Sequence, residues 1–375
     1  MMISNVQALR AFASAAVMLY HMNYRWAKDL HTDFQGVSIF FVISGFIMTY
    51  ITLRDKKEVK PKSFILQRII RIVPLYWFSV FLLIALSNLG LLNLQATLPR
   101  IGSQLLTAPL DLIEWFASMF NLFNSASPSD LLRTLLFIPY KDINGDIHPL
   151  LGVGWTLNIE MYFYVIFSLA LFLGKCLAPI FSSVIIIAVW LIGKHAAYSG
   201  NDWLRLYSND YSLYFVGGIA VYYLWTGLNK IAAAKSRRRW ILGAIATISA
   251  LAYILSNLFY LQASSRFPLI LASGPSLLVL AALLAHTIGY QVQNKFILLL
   301  GAASYSLYLE HTIVLEILRT ITNKSGSFLN FSTTVSGVAI AAAFCIIAAI
   351  AVHLKIEMPS QNWLKKKLRY KLNRV

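Results

Sequence analysis

Seven ionisable side chains lie inside apolar runs of this 375-residue sequence. Arg10 and His21 occur in VQALRAFASAAVMLYHMNY, Arg68 and Arg71 in QRIIRIVPLYW, Glu160 in GWTLNIEMYFYVIF, and Glu310 and His311 in LGAASYSLYLEHTIV. A charge at the centre of a membrane helix costs at least about 2.5 kcal/mol, and such residues face a bundle interior or a wet cavity. The residue types point to distinct chemistry. A histidine serves as general base or nucleophile. Paired arginines hold a phosphate by bidentate, charge-assisted hydrogen bonds. A carboxylate in an apolar helix needs a partner or a proton.

Spacing groups them further. Arg10 and His21 are eleven residues apart, nearly three whole turns, so they share one helical face with a rise of roughly 16 Å between them. Either Arg10 snorkels to the membrane surface with His21 at the opposite interface, or both line the bundle interior. Arg68 and Arg71 also share a face. They are either a cationic anchor ahead of the Tyr76 and Trp77 belt, or a paired site for a phosphate-bearing ligand. Glu310 and His311 are adjacent, so they point in different directions. Trp155 and Tyr162 flank Glu160 as belt residues. His286 and His353 read as interface residues, and Glu357 is placed to neutralise one of the paired arginines.

The elements that position these groups are membrane helices. Hydrophobic residues make up 58% of the chain and charged residues 13%, against about 25% charged in soluble domains. Ten runs are candidate spans: Val6–Tyr24, Gly36–Leu53, Ile69–Gly90, Trp155–Leu173, Leu177–Ile192, Tyr211–Gly227, Trp240–Leu261, Phe267–Ala285, Phe296–Leu318 and Val335–Leu354. With the N-terminus inside, 22 of the 32 Lys and Arg residues fall on the cytoplasmic side and ten outside. That bias predicts N-in, C-in topology and explains the net charge of +17 without nucleic acid. The first run has no small-residue cleavage site after it and reads as a retained helix. Residues 91–154 form a long outer loop, in which LDLIEWFASMFNLF and LLRTLLFI suggest interfacial or re-entrant helices. DINGDIH lacks calcium-loop spacing and reads as a turn. Cys176 and Cys345 read as buried thiols, with no metal site expected. The basic tail LKKKLRYKLNR reads as a topology signal lying on anionic lipid. Counting rise from the span ends places His21, Glu160 and His311 at one level, each roughly 22 Å above the inner face, with Ser38 slightly higher and Arg10, Arg68 and Arg71 in the inner half.

In this order, Arg10-x10-His21, GVSIFFVISGFIM, QRIIRIVPLYW, GVGWTLNIEMYFY and SYSLYLEH resemble the motifs of the membrane acyltransferase 3 family. These are bacterial integral membrane O-acyltransferases acting on exopolysaccharide, O-antigen or lipid-linked sugars. The resemblance spans nearly the whole chain and looks most like the stand-alone, exopolysaccharide-type members. It implies an all-α fold of about ten helices in the bacterial inner membrane, acyl-CoA (acetyl-CoA) as donor, no metal, and a glycan hydroxyl on the far side as acceptor. It implies that Arg10 and His21 are the family's essential pair, that Arg68 and Arg71 hold the CoA phosphate, and that Glu160 is the acid following the Trp-Thr-Leu motif. His21, Glu160 and Arg10 are the expected catalytic residues. Ser38, Tyr162, Tyr305, Glu310 and His311 are candidates for a second layer or the acceptor side. Ser38 stands where relatives often carry Asp, which leaves open which acid serves His21. The rival reading is a secondary transporter or exporter of sugar precursors. Against it, no matched pair of Gly/Pro-broken helices marks two halves.

Overall fold

Helices and closed barrels are the structures that satisfy every backbone polar group in lipid, and this chain uses helices. The computed structural model describes residues 3–22, 36–54, 59–88, 128–141, 147–195, 202–233, 238–260, 268–325 and 334–372, and all regular structure among them is helical. In chain order the helices are α1 (Ser4–His21), α2 (Gly36–Arg54), α3 (Pro61–Asn88), α4 (Pro128–Leu135), α5 (Trp155–Ala170), α6 (Ala178–His195) and α7 (Asp202–Tyr207). They continue with α8 (Leu213–Ala233), α9 (Arg238–Tyr260), α10 (Pro268–Thr287), α11 (Lys295–Ala302), α12 (Ser304–Ser325), α13 (Val335–Val352) and α14 (Met358–Leu372).

Five helical stretches among the described residues are long and apolar enough to cross a membrane: Gly36–Arg54, Pro61–Ser87, Gly152–Leu173, Ala178–His195 and Val335–Leu368. A sixth is added if α11 and α12 form one broken span. The protein is therefore a multi-pass membrane protein whose regular structure among the described residues is helical. The expected spans Val6–Tyr24, Tyr211–Gly227, Trp240–Leu261 and Phe267–Ala285 coincide with α1, α8, α9 and α10, which are not among the five. In α1 the cause is visible: Asn5, Gln7, Arg10, Ser14 and His21 dilute its apolar residues, and Asn5, Gln7 and Ser14 are buried.

Three boundaries differ from expectation in ways that move site residues. Helix α3 begins at Pro61, where proline's fixed φ favours a first turn, so Arg68 and Arg71 lie two turns inside it. The ninth expected span breaks at Ala303. The tenth ends in a π turn, His353–Glu357, that leads into α14. LDLIEWFASMFNLF, and all of DINGDIH but its last two residues, lie outside the described residues.

The helices divide into two compact units that interleave in sequence: Met1–Tyr20, Trp26–Leu66 and Tyr162–Ser304 form the first, and His21–Arg25, Gln67–Met161 and Tyr305–Val375 the second. In the first unit α2 and α8 approach closely through glycines. A Cβ on Gly45 would strike the Phe215 carbonyl, and one on Gly218 the Val42 carbonyl, the small-residue contact that membrane helices use in place of a hydrophobic drive. Phe215 stacks on Phe163 (4.2 Å) and packs at a tilt against Phe41 (4.7 Å) beside that crossing. The start of α1 is pinned by Asn5, which donates to the carbonyls of Ala282 (3.0 Å) and Tyr290 (2.8 Å) and accepts from Val292 N–H (2.9 Å).

In the second unit, α3 packs against the described end of the long loop. Trp77 donates to the Leu135 carbonyl (2.9 Å), and Tyr76 stacks on Phe137 (4.9 Å). Phe137 has φ 59, a left-handed conformation that bulky residues rarely adopt. Its ring packing on Tyr76 and the neighbouring bond from Ile138 N–H to the Arg133 carbonyl (2.8 Å) hold it there.

Candidate active site

The second unit gathers most of the ionisable groups. His21 is the last residue of α1, where carbonyls lack helical partners. Its carbonyl accepts from Arg319 Nη2 (3.1 Å), and Arg319 Nη1 reaches Glu316 Oε2 (3.3 Å). Arg319 follows His311 by eight residues on α12, two steps of the i, i+4 row, so one face carries both. His311 is fully buried. Its Nδ1 lies 3.0 Å from the Leu307 carbonyl and its Nε2 3.3 Å from Nδ1 of His21, with ring centroids 5.0 Å apart.

This geometry fixes the tautomers of a neutral pair. A carbonyl oxygen only accepts, so Nδ1 of His311 carries hydrogen and its Nε2 is the acceptor. Nδ1 of His21 then donates to it, which leaves the lone pair of His21 on Nε2. A chain from carbonyl to His311 to His21 thus sets the second imidazole up as a base, as a hydrogen-bonded carboxylate or carbonyl does for other histidines.

Glu310 points away from this pair. Its Oε1 accepts from Ser79 Oγ at 2.6 Å, and both residues are buried. Nearer the start of α12, Tyr308 donates to the Val153 carbonyl (3.1 Å) and lies 2.7 Å from Thr156 Oγ1. Val153 belongs to the short 3-10 turn Gly152–Gly154 before α5. The N-terminus of α5 is therefore level with Tyr308, and Glu160 lies one turn further along.

Glu160 accordingly registers with a different set. The Tyr305 phenol lies within electrostatic range of Glu160, Glu357 and Arg71, and Tyr305 precedes His311 by six residues, about 9 Å of helix. The single level expected for His21, Glu160 and His311 thus resolves into two. The physical causes are the 3-10 turn that seats α5 and the break before α12, neither of which a straight-helix depth count includes. Arg68 is 9% exposed on α3. Glu357, in the π turn, is also buried and accepts through Oε2 from His353 Nδ1 (2.7 Å) and Ser306 Oγ (2.7 Å). A π turn inserts one residue into a helix and often marks a functional position; here it turns both His353 and Glu357 inward.

Three expected site residues belong to the first unit. Arg10 Nη1 lies 3.4 Å from Gln7 Oε1, and Gln7 Nε2 donates to the Leu298 carbonyl (3.3 Å). Ser38 is buried on α2. Tyr162 stacks on Tyr207 (4.4 Å), whose phenol burial pushes up to about 12.

Ser79 and Arg319 were not among the residues expected from sequence. Ser79 has no sequence signal, because one serine in an apolar helix is common. The i, i+4, i+8 row His311–Leu315–Arg319 does carry one.

Buried histidines and carboxylates held among apolar helices are what an integral membrane protein with an interior polar site presents, and the family match says which class it is. The chain belongs to the acyltransferase 3 family: the family described as "Acyltransferase domain" matches residues 3–353. It is 29% identical over 348 residues to the exopolysaccharide production protein ExoZ of Rhizobium meliloti (strain 1021), covering 91% of this chain and 94% of that protein. It is 27% identical over 271 residues to the peptidoglycan O-acetyltransferase OatA of Listeria monocytogenes, covering 68% of this chain and 39% of that protein. A putative O-acetyltransferase of Staphylococcus aureus (strain COL) is 29% identical over 174 residues, 45% of this chain and 24% of that protein. The match thus spans about two fifths of the Listeria protein and a quarter of the staphylococcal one. No solved structure matches the chain.

Proposed function

We propose that this protein is an O-acyltransferase of the bacterial inner membrane. It takes an acyl group, acetyl in the simplest case, from cytoplasmic acyl-CoA and transfers it to a hydroxyl of a cell-surface or lipid-linked glycan on the outer side. Family membership and the likeness to an exopolysaccharide production protein over 94% of that protein's length support O-acyl transfer to polysaccharide. The observation that carries the chemistry is the 3.3 Å contact between His311 Nε2 and His21 Nδ1, with His311 Nδ1 bound to the Leu307 carbonyl.

In the proposed reaction His21 Nε2 removes the proton from the acceptor hydroxyl as its oxygen attacks the thioester carbonyl. A C–O bond forms, the C–S bond breaks, and the proton passes from His21 to the departing thiolate, which leaves as CoA thiol. Charge developing on His21 is spread to His311 through their shared hydrogen bond. Arg68 and Arg71 bind phosphates of the donor.

The test uses purified protein, labelled acetyl-CoA and exopolysaccharide from the producing organism. The expected result is label in ester linkage to the glycan, formed about a hundredfold more slowly by His21→Ala. Glycan flux into vesicles without acyl-CoA, and no mass change, would instead establish an exporter.

A further inference from the structure

The turn of α3 that carries Arg68 and Arg71 runs directly into Pro74. Proline supplies no N–H to the carbonyl four residues earlier, and its ring crowds that turn. The carbonyl so affected is that of Ile70, and the next two, of Arg71 and Ile72, receive side-chain hydrogen bonds from elsewhere in the second unit. Gln361 Nε2 donates to the Arg71 carbonyl (3.3 Å), and the Tyr305 phenol donates to the Ile72 carbonyl (2.9 Å). Gln361 is itself held by a second bond, from Nε2 to Glu357 Oε1 (3.2 Å). The other oxygen of Glu357 accepts from His353 and Ser306.

Glu357 is thus a hub with three donors. Two of them, His353 and Gln361, sit one turn before and one turn after it, and the third, Ser306, comes from α12. A buried carboxylate is costly unless its lone pairs are filled, and the π turn is what aims it at all three. The hub reaches the arginine turn through Gln361, and Tyr305, near the start of α12, bonds the next carbonyl.

We infer that Gln361, Glu357 and Tyr305 are positioning residues that set the backbone of the Arg68–Arg71 turn and thereby the affinity for the phosphates of the donor. This rests on the reading that those arginines bind acyl-CoA. It gives Tyr305, a candidate from sequence for a second layer or the acceptor side, a place on the donor side. Nothing in the arginine motif itself signals the arrangement, because Gln361 lies 290 residues from Arg71.

The experiment compares Gln361→Ala, Tyr305→Phe and Arg71→Ala in purified full-length protein, reading CoA affinity by calorimetry and KM and kcat with acetyl-CoA. Tyr305→Phe keeps the ring and removes only the donor. Each of the first two is expected to raise Kd for CoA and KM for acetyl-CoA by about two- to tenfold, the worth of one neutral hydrogen bond, with kcat retained. Combined with Arg71→Ala, neither should weaken binding further. Equal loss of kcat with unchanged KM in both variants, or penalties fully additive to Arg71→Ala, would overturn the positioning role. If Arg71→Ala itself leaves CoA affinity unaltered, the donor assignment fails first, and the positioning role fails with it.

Discussion

His311 Nε2 lies 3.3 Å from His21 Nδ1, while His311 Nδ1 is tied to the carbonyl one turn before it. One ring therefore chooses the tautomer of the other. If the pair acts as a unit, removing either member removes the same chemistry. His311→Ala is expected to lower kcat by about a hundredfold, within the usual range for general-base catalysis, with KM for acetyl-CoA little changed. The double variant His21→Ala/His311→Ala should be no slower than His21→Ala alone. Multiplicative losses in steady-state rates would show two independent roles.

Arg319 holds the final carbonyl of α1 at 3.1 Å and so fixes where the His21 ring starts from. Arg319→Ala should reduce kcat by about tenfold, toward the lower end of what a hydrogen bond from a charged donor is worth. Arg319→Lys should recover part of it, because an ammonium still reaches a carbonyl but without the fork that also engages Glu316. Acetyl transfer rates check both. A loss confined to thermal stability, with kcat intact, would make Arg319 a helix cap only.

Much of this arrangement is legible in the sequence. The apolar runs announce helices, and counting rise along them puts His21 and His311 at one level, where the structure joins them. What sequence does not carry is local departure from straight helix. The register of Glu160 depends on a 3-10 turn at Gly152–Gly154, and that of Tyr305 on the break at Ala303. Each resets where the following helix starts, which a count of 1.5 Å per residue passes over. The partners Ser79 and Gln361 are invisible for another reason. A neutral polar residue acquires meaning only from what it touches.

Ser79 supplies a 2.6 Å hydrogen bond to the buried Glu310. Ser79→Ala removes that donor and leaves the carboxyl to find another, so it should cost about 1–3 kcal/mol of stability, the penalty for stranding a buried polar group. Glu310→Leu in the same protein should recover most of the loss, since an apolar side chain of similar size needs no partner there. Thermal unfolding in detergent measures both. Recovery by the second substitution distinguishes a stranded carboxyl from a simple cavity at residue 79.

The crossing of α2 and α8 offers a test of packing in the first unit. Gly45 faces the Phe215 carbonyl and Gly218 the Val42 carbonyl, each too close for a methyl group. The two contacts are reciprocal, so either helix must move to admit a side chain, and the Phe41–Phe215–Phe163 cluster beside them would move with it. Gly45→Ala and Gly218→Ala should each destabilise by about 1–3 kcal/mol, the usual cost of overpacking. Once one has forced the helices apart, the other meets less resistance, so the double variant should cost less than the two singles together. Full additivity in the same unfolding measurement would mean that each glycine is accommodated locally, without separation of the helices.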